Sequence, residues 1–169
     1  MVAAALAMPE EHLATLYQRH GPSVFRRARQ LLGLEADAHE VVQEVFLSLL
    51  EKPAQFQGKS SLTTYLYSAT THACLNRIRN KKNQERLRRE RLVDTSEGGG
   101  TLLTPEQLLM LHRALENMPN ELAQAAMYYL VDGLTHAEIA KLLSCSRRHV
   151  GNLLARLESR DWAEETPSC

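Results

Sequence analysis

Apolar residues recur every three or four positions along most of this chain, and no other feature constrains its fold as strongly. Such spacing is typical of helices that bury one face. The last of these stretches places four apolar residues at positions i, i+3, i+4 and i+7: Val150, Leu153, Leu154 and Leu157. Hydrophobic residues make up 44% of the chain but aromatic residues only 5%, which disfavours a β-sandwich. The pattern therefore predicts an all-α fold with an aliphatic core.

Breaks in the periodicity mark the predicted helix ends. Gly21-Pro22 is expected to separate a first helix from a second, because proline suits the first turn of a helix, and Gly33 is expected to end the second. A third helix is predicted over residues 36–50. A fourth is predicted over residues 62–92, apolar in its first half and basic in its second. The first part of the chain should therefore form a helical bundle.

A polar stretch that ends in Gly98-Gly99-Gly100 interrupts the pattern again. Glycine-rich polar segments cost most to order and stay flexible. We therefore predict two small helical domains joined by a flexible linker. The expected boundaries are a disordered leader at 1–9, a first domain at 10–92, the linker at 93–103, a second domain at 104–160 and a polar tail at 161–169.

Charge is distributed unevenly, although the chain has 20 basic and 20 acidic residues and no formal net charge. A protein that binds DNA alone usually carries a basic excess, so neutrality argues against strong solitary DNA binding. The predicted third helix is acidic and lacks Lys and Arg, whereas residues 77–91 are mostly basic. This order predicts an acidic face for a protein partner and a basic face for nucleic acid. Two ordinary solvated helix faces are the alternative.

Start signals for helices are clear in the second domain. Thr104 and Gln107 have the spacing of a capping box, in which each side chain accepts from the backbone N–H of the other residue, and so do Thr135 and Glu138. Pro119 is expected to end one helix and begin the next. These signals predict four helices after the linker.

The last two of these helices have the pattern of a helix-turn-helix. A short turn at Ser144-Cys145 leads into the last helix, with Ser144 or Ser146 as its N-cap. The polar faces of that helix carry Arg147, Arg148, Asn152 and Arg156. Such a helix suits the major groove of DNA, where its first residues meet base edges and arginines meet phosphates. A plain helical hairpin is the alternative.

Over residues 10–160 the chain resembles the extracytoplasmic-function (ECF) sigma factors of the sigma-70 family. Residues 37–46 (Asp-Ala-His-Glu-Val-Val-Gln-Glu-Val-Phe) resemble region 2.2, which binds the clamp helices of RNA polymerase. Residues 56–67 and 73–79 resemble regions 2.3 and 2.4, which melt and read the -10 element. Residues 114–119 and the helix-turn-helix resemble region 4, the reader of the -35 element. The three stretches in this order, around a glycine-rich linker, make the resemblance specific.

The resemblance implies partners and site residues. The partners are bacterial core RNA polymerase at its clamp and flap regions, double-stranded promoter DNA, the melted non-template strand and an anti-sigma protein that covers both domains. Polymerase binding is implied for Asp37, Glu40, Gln43 and Glu44. Recognition of the -10 element is implied for Phe56, Lys59, Ser60, Ser61, Tyr65, His72, Asn76, Arg77 and Arg79. Recognition of the -35 element is implied for Ser146, Arg147, Arg148, His149, Asn152 and Arg156.

The physical character of these stretches agrees with the implied roles. Promoter opening needs a pocket for an unstacked base, which a loop with polar and aromatic groups around Phe56 can form. An apolar anchor that fixes this loop to the core is the alternative for Phe56. The sequence departs from the family at Tyr65, where Trp is usual, and at Ser68, His72 and His149. The promoter sequence therefore cannot be carried over from the family.

Catalysis, cofactors and membranes are not indicated. No phosphate loop, paired carboxylates or nucleophile–base set is visible, so we predict no enzymatic activity and no cofactor. The three cysteines lack the spacing of a zinc site and favour a reducing cytoplasm, with a redox role for any of them left open. The apolar stretch at residues 1–8 is too short for a signal peptide or a membrane span, so no membrane insertion is expected.

Two other functions compete with that of an alternative sigma factor. A stand-alone helix-turn-helix regulator accounts for residues 104–160 but leaves the acidic third helix without a purpose. A module that mimics a sigma factor and sequesters its partners need not retain Arg147, Arg148 and Arg156. Tight operator binding without polymerase would favour the first, and partner binding without transcription would favour the second.

Overall fold

The computed structural model describes residues 10–51, 61–80 and 103–159. Every regular element in these ranges is a helix, as the periodicity predicts. The helices are α1 (Glu10–Leu32), α2 (Glu35–Glu51), α3 (Leu62–Arg79), α4 (Pro105–Glu116), α5 (Asn120–Ala126, continued by a π-helical turn at Met127–Val131), α6 (His136–Leu143) and α7 (Arg147–Ser159). The predicted leader, the tail, nearly all of the linker and the basic stretch after Asn80 lie outside the described residues.

α1 is one continuous helix, so the predicted break at Gly21-Pro22 is wrong. Proline inside a helix costs about 3 kcal/mol, since it removes a hydrogen bond and crowds the preceding turn. Burial of an aliphatic side chain gains roughly 1.5–3 kcal/mol, and the residues after Pro22 that are buried include Val24 and Leu31. Before Pro22, the ring of Tyr17 packs against Phe46 of α2 with ring centroids 5.1 Å apart. Packing on both sides of the proline therefore outweighs its local cost.

α1, α2 and α3 pack together as a three-helix bundle. Gly33 ends α1 with a φ of 81°, as predicted, and its N–H donates to the carbonyl of Arg29 at 2.9 Å. Ser61 caps the start of α3, because its Oγ accepts from the N–H of Thr64 at 3.1 Å. It ends at Arg79, because Asn80 is extended. The predicted helix was longer, but the residues that would continue it lie beyond the described range.

Both predicted capping boxes are confirmed in the second domain. Thr104 and Gln107 exchange hydrogen bonds at the start of α4, and Thr135 and Glu138 do so at the start of α6. Pro119 separates α4 from α5, as predicted. The left-handed φ of 64° at Gly133 lets the chain turn from the π-helical segment into α6.

The two domains are in contact. Their buried apolar residues, from Val24 in α1 to Leu154 in α7, form a single cluster. α3 packs against both α4 and α5. No helix in the described part of the chain is long and apolar enough to cross a membrane.

Candidate nucleic-acid and protein interfaces

The turn between α6 and α7 sets the direction of the last helix. Ser144 adopts a left-handed conformation with φ 54°, and the N–H of Cys145 donates to the carbonyl of Ala140 at 3.0 Å. Of the two predicted N-cap residues, Ser146 fills the role, because its Oγ accepts from the N–H of His149 at 3.1 Å. Val150, one of the buried residues of α7, holds the helix against the core. This is the geometry of a helix-turn-helix.

α7 presents polar side chains to solvent along its free side. Arg147, Arg148 and Asn152 are exposed, and Arg156 is partly exposed. His149 lies beside them, but its Nε2 is 3.0 Å from Oε1 of Glu121 in α5. The two arginines in the first turn of α7 are therefore free to meet an external surface, whereas His149 is held against its own domain.

α2 carries the predicted acidic surface. Glu40, Gln43 and Glu44 are exposed and lie within four residues of one another, on one side of the helix. Asp37 is different, because it is fully buried in the first turn of α2. A carboxylate there interacts favourably with the positive end of the helix dipole. The surface available to a partner thus consists of the other three residues.

Arg77 in α3 is turned towards this acidic surface. Its Nη1 donates to Glu40 at 2.6 Å and its Nη2 donates to Glu44 at 3.3 Å. Partial burial lowers the pKa of Arg77, but the two carboxylates raise it by more, so the guanidinium stays charged. Arg77 therefore acts as a bridge between α3 and α2 in this structure.

The remaining predicted -10 residues of α3 follow one side of the helix. Tyr65, His72, Asn76 and Arg79 lie at positions i, i+7, i+11 and i+14, while Ser61 caps the helix. Tyr65 is half-buried, and burial raises the pKa of its hydroxyl. Asn76 is exposed and lies 3.4 Å from the Nδ1 of His72. The sequence adds three more residues to this group, and all of them lie outside the described residues: Phe56, Lys59 and Ser60.

Arg79 and His72 contact the second domain. The Nη2 of Arg79 donates to the carbonyl of Met118 at 2.6 Å, and its Nη1 donates to Asn120 at 3.1 Å. The Nε2 of His72 lies 3.3 Å from Nδ2 of Asn120. Burial against the second domain lowers the pKa of Arg79. Two residues that were predicted to read DNA therefore contact the second domain of their own chain in this structure.

Cys74 belongs to the core of this domain. It is fully buried in α3, and burial raises the pKa of its thiol to about 12. A thiol with so high a pKa is a poor nucleophile and a poor target for oxidation. Cys145 is partly exposed, and its pKa is also raised by burial.

Comparisons with known proteins identify both domains. The family model of sigma-70 region 2 matches residues 16–84, and that of sigma-70 region 4 matches residues 108–159. The ECF RNA polymerase sigma factor SigM of Mycobacterium tuberculosis is 24% identical over 160 residues, which cover 95% of this chain and 80% of the relative. The ECF RNA polymerase sigma-E factor of Escherichia coli is 25% identical over 160 residues, which cover 88% of this chain and 76% of the relative. The chain belongs to the ECF sigma factors of the sigma-70 family.

As an ECF sigma factor, the protein is an alternative sigma factor that directs the initiation of transcription. A solved structure, the sigma factor RpoE in complex with the anti-sigma factor NepR from Bartonella quintana, also matches. The match has a TM-score of 0.48 and 15% identity and covers 93% of this chain and 99% of that one.

Sequence reasoning missed several residues that join the two domains of this sigma factor. Arg27 of α1 and Asp132 after α5 form a buried ion pair, and the imidazole of His112 in α4 bonds to the backbone of α1. In both cases the sequence contained a signal, which was a charged or polar residue within an apolar stripe. Arg27 lies beside Val24 and Ala28 on the apolar stripe of α1, and His112 lies four residues after Leu108 on that of α4. A charged or polar residue within a buried stripe needs a partner.

Proposed function

We propose that this sigma factor binds core RNA polymerase through α2 and reads the two promoter elements with α3 and α7. One observation carries the proposal: a single chain of this family exposes an acidic surface on one domain and a basic helix-turn-helix on the other. These opposite surfaces also account for a DNA-directed protein without net charge.

The acidic surface of α2, formed by Glu40, Gln43 and Glu44, binds the polymerase clamp. Its residues are exposed and share one side of the helix, and Arg77 from α3 holds the two glutamates in place. We assign Arg77 to this bridge, since both carboxylates already occupy its guanidinium. Asp37 stabilises the start of α2 from inside the domain and does not contact the polymerase.

The free side of α7 reads the -35 element in the major groove. Arg147 and Arg148 are exposed in its first turn, which is the part of a recognition helix that meets base edges, and Asn152 and Arg156 follow. Ser146 caps the helix, and the contact between the Nε2 of His149 and the Oε1 of Glu121 connects it to α5. We also assign to this second domain the contact with the flap of the polymerase.

The side of α3 that carries Tyr65, His72, Asn76 and Arg79 reads the -10 element, together with Ser61 at the start of the helix. The loop with Phe56, Lys59 and Ser60 accepts the unstacked base of the melted non-template strand. An anti-sigma protein that covers both domains regulates this activity in the cytoplasm, where the polymerase works. The protein contributes binding energy to initiation, and the polymerase carries out the chemistry.

The α2 assignment is tested by Gln43→Lys. This change puts a cation in the centre of the acidic surface and leaves the bridge from Arg77 intact. Repulsion across the interface should weaken binding of core polymerase by at least about tenfold, measured as a dissociation constant at fixed salt. The matched control is Gln18→Lys on the exposed side of α1, which should bind like the wild type. Equal affinity of the two variants would remove α2 from the interface.

A further inference from the structure

The two domains are joined by an ion pair that is almost completely buried. Arg27 in α1 donates to both carboxylate oxygens of Asp132, from Nη1 to Oδ1 and from Nη2 to Oδ2 at 2.7 Å. Their side chains are only 6% and 9% exposed. The guanidinium also donates to Thr71 at 3.3 Å and lies 4.6 Å from the ring centroid of Tyr67, both in α3. The first domain thus builds a binding site for one carboxylate of the second.

Two further contacts continue this interface. Tyr67 stacks on Tyr128 of the second domain with ring centroids 5.8 Å apart. The Nε2 of His112 in α4 lies 2.7 Å from the carbonyl oxygen of Leu31, and both residues are fully buried. Arg79 also donates hydrogen bonds to Met118 and Asn120, so the interface extends from the end of α1 to the end of α3.

A buried ion pair suits a contact that has to open. Compared with apolar residues it adds little net stability, because both charges lose their hydration. When the domains separate, both charges return to water, so opening regains part of what closure costs. If only one partner is removed, however, the other is left buried and unpaired, and the closed state is strongly disfavoured.

The closed arrangement is incompatible with binding both promoter elements at once. The -10 and -35 elements are about 25 base pairs apart, which is about 85 Å along B-form DNA. A compact chain of 169 residues has a radius of gyration of only about 15 Å. In the closed state α3 touches the second domain through Arg79, so the -10 and -35 readers cannot reach elements that far apart.

We propose that this sigma factor is autoinhibited by a closed state in which Arg27 and Asp132 latch the two domains together and the second domain contacts Arg79 and His72 through Met118 and Asn120. Opening of this latch precedes simultaneous contact with the -10 and -35 elements. The inhibitory part of the proposal rests on the proposed function, because it needs α3 and α7 as the DNA readers. The closed state itself rests only on the contacts between the domains.

The latch is tested by Asp132→Asn in the full chain, with small-angle scattering as the readout. Loss of the carboxylate should shift the balance between closed and open chains by roughly a hundredfold towards open and increase the radius of gyration. Glu35→Gln is the matched control, because it removes an exposed carboxylate that contacts His39 across one turn of α2 at 3.6 Å, and it should leave the radius unchanged. Equal radii for wild type and Asp132→Asn, with helix content retained, would overturn the proposal.

A second variant tests the closed state in case the change at the buried Asp132 prevents folding. Asn120→Ala removes the exposed partner of Arg79 and His72 and should expand the chain in the same direction by a smaller amount. An unchanged radius in this variant, if Asp132→Asn unfolds, would also overturn the proposal.

Binding to core polymerase with promoter DNA separates this proposal from the proposed function. The expanded variants should form the promoter complex several-fold faster than the wild type, since no closed state has to open first. Expansion without faster assembly would disprove autoinhibition and leave the function standing. If neither wild type nor variant assembles with polymerase, the proposed function fails, although the closed state can still be measured by scattering.

Discussion

The guanidinium of Arg77 lies 2.6 Å from the carboxylate of Glu40, and this contact ties α3 to the acidic surface of α2. Their side chains are 24% and 52% exposed, so water screens the pair. A double-mutant cycle with Arg77→Ala and Glu40→Ala should therefore give a coupling energy of about 0.5–1 kcal/mol in urea unfolding. Additive effects of the two substitutions would show that the pair is absent in solution.

The capping box of α6 should make stability depend on pH. Hydrogen bonds from the hydroxyl and the backbone N–H of Thr135 lower the pKa of Glu138 below its usual value of 4.5. The carboxylate therefore stabilises the folded state above pH 4.5, and this contribution is lost as the pH falls through the lowered pKa. Glu138→Gln should be less stable than the wild type at pH 7, and the difference should shrink at lower pH in thermal unfolding.

Thr135→Ala provides the complementary test of the same cap. It removes the hydroxyl that binds Glu138 and should cost about 1 kcal/mol. Thr135→Ser keeps a hydroxyl and should cost less. Equal losses in the two variants would mean that the hydroxyl does not cap α6.

Two glycines should respond to alanine with opposite signs. Gly133 has a φ of 64°, where a side chain is strained even though nothing lies within 4 Å of an added Cβ. Gly133→Ala should therefore destabilise the protein by about 1 kcal/mol and lower Tm by about 2–4 °C. Gly151 lies inside α7 with open space around it, so Gly151→Ala should raise the stability by up to about 1 kcal/mol. A gain in stability from both substitutions would argue against the left-handed turn before α6.

Arg148→Ala should weaken use of the promoter without weakening the polymerase complex. Arg148 is exposed in the first turn of α7, far along the chain from the acidic surface of α2. Loss of one arginine that contacts a base or phosphate should reduce promoter affinity by about tenfold. Arg19→Ala, an exposed arginine of α1, is the control and should have no effect. Equal loss of polymerase binding in Arg148→Ala would contradict the assignment of α7 to DNA.

Features set by neighbouring residues were predictable from the sequence. The capping boxes at Thr104 and Thr135 depend on pairs only three residues apart, and the left-handed end of α1 depends on Gly33 alone. The choice between Ser144 and Ser146 stayed open, because both serines fit an N-cap by type. Only the backbone conformation, left-handed at Ser144, decides it.

Features set by packing between distant elements were not predictable. The continuity of α1 through Pro22 depends on contacts with α2, and Arg27 meets a partner 105 positions along the chain. Burial of Asp37 also depends on the bundle, since its spacing alone groups it with Glu40 and Glu44. For the same reason the sequence indicates which residues are polar and periodic, but not that the two domains close on each other.

Co-elution with bacterial core RNA polymerase on a sizing column tests the central claim most directly. The purified chain should elute with the polymerase as a stable complex, and Gln43→Lys should reduce its share of that complex. If the chain elutes alone, in the absence of any bound inhibitor, it is not a sigma subunit of that polymerase. The helix-turn-helix would then belong to a regulator that binds DNA by itself.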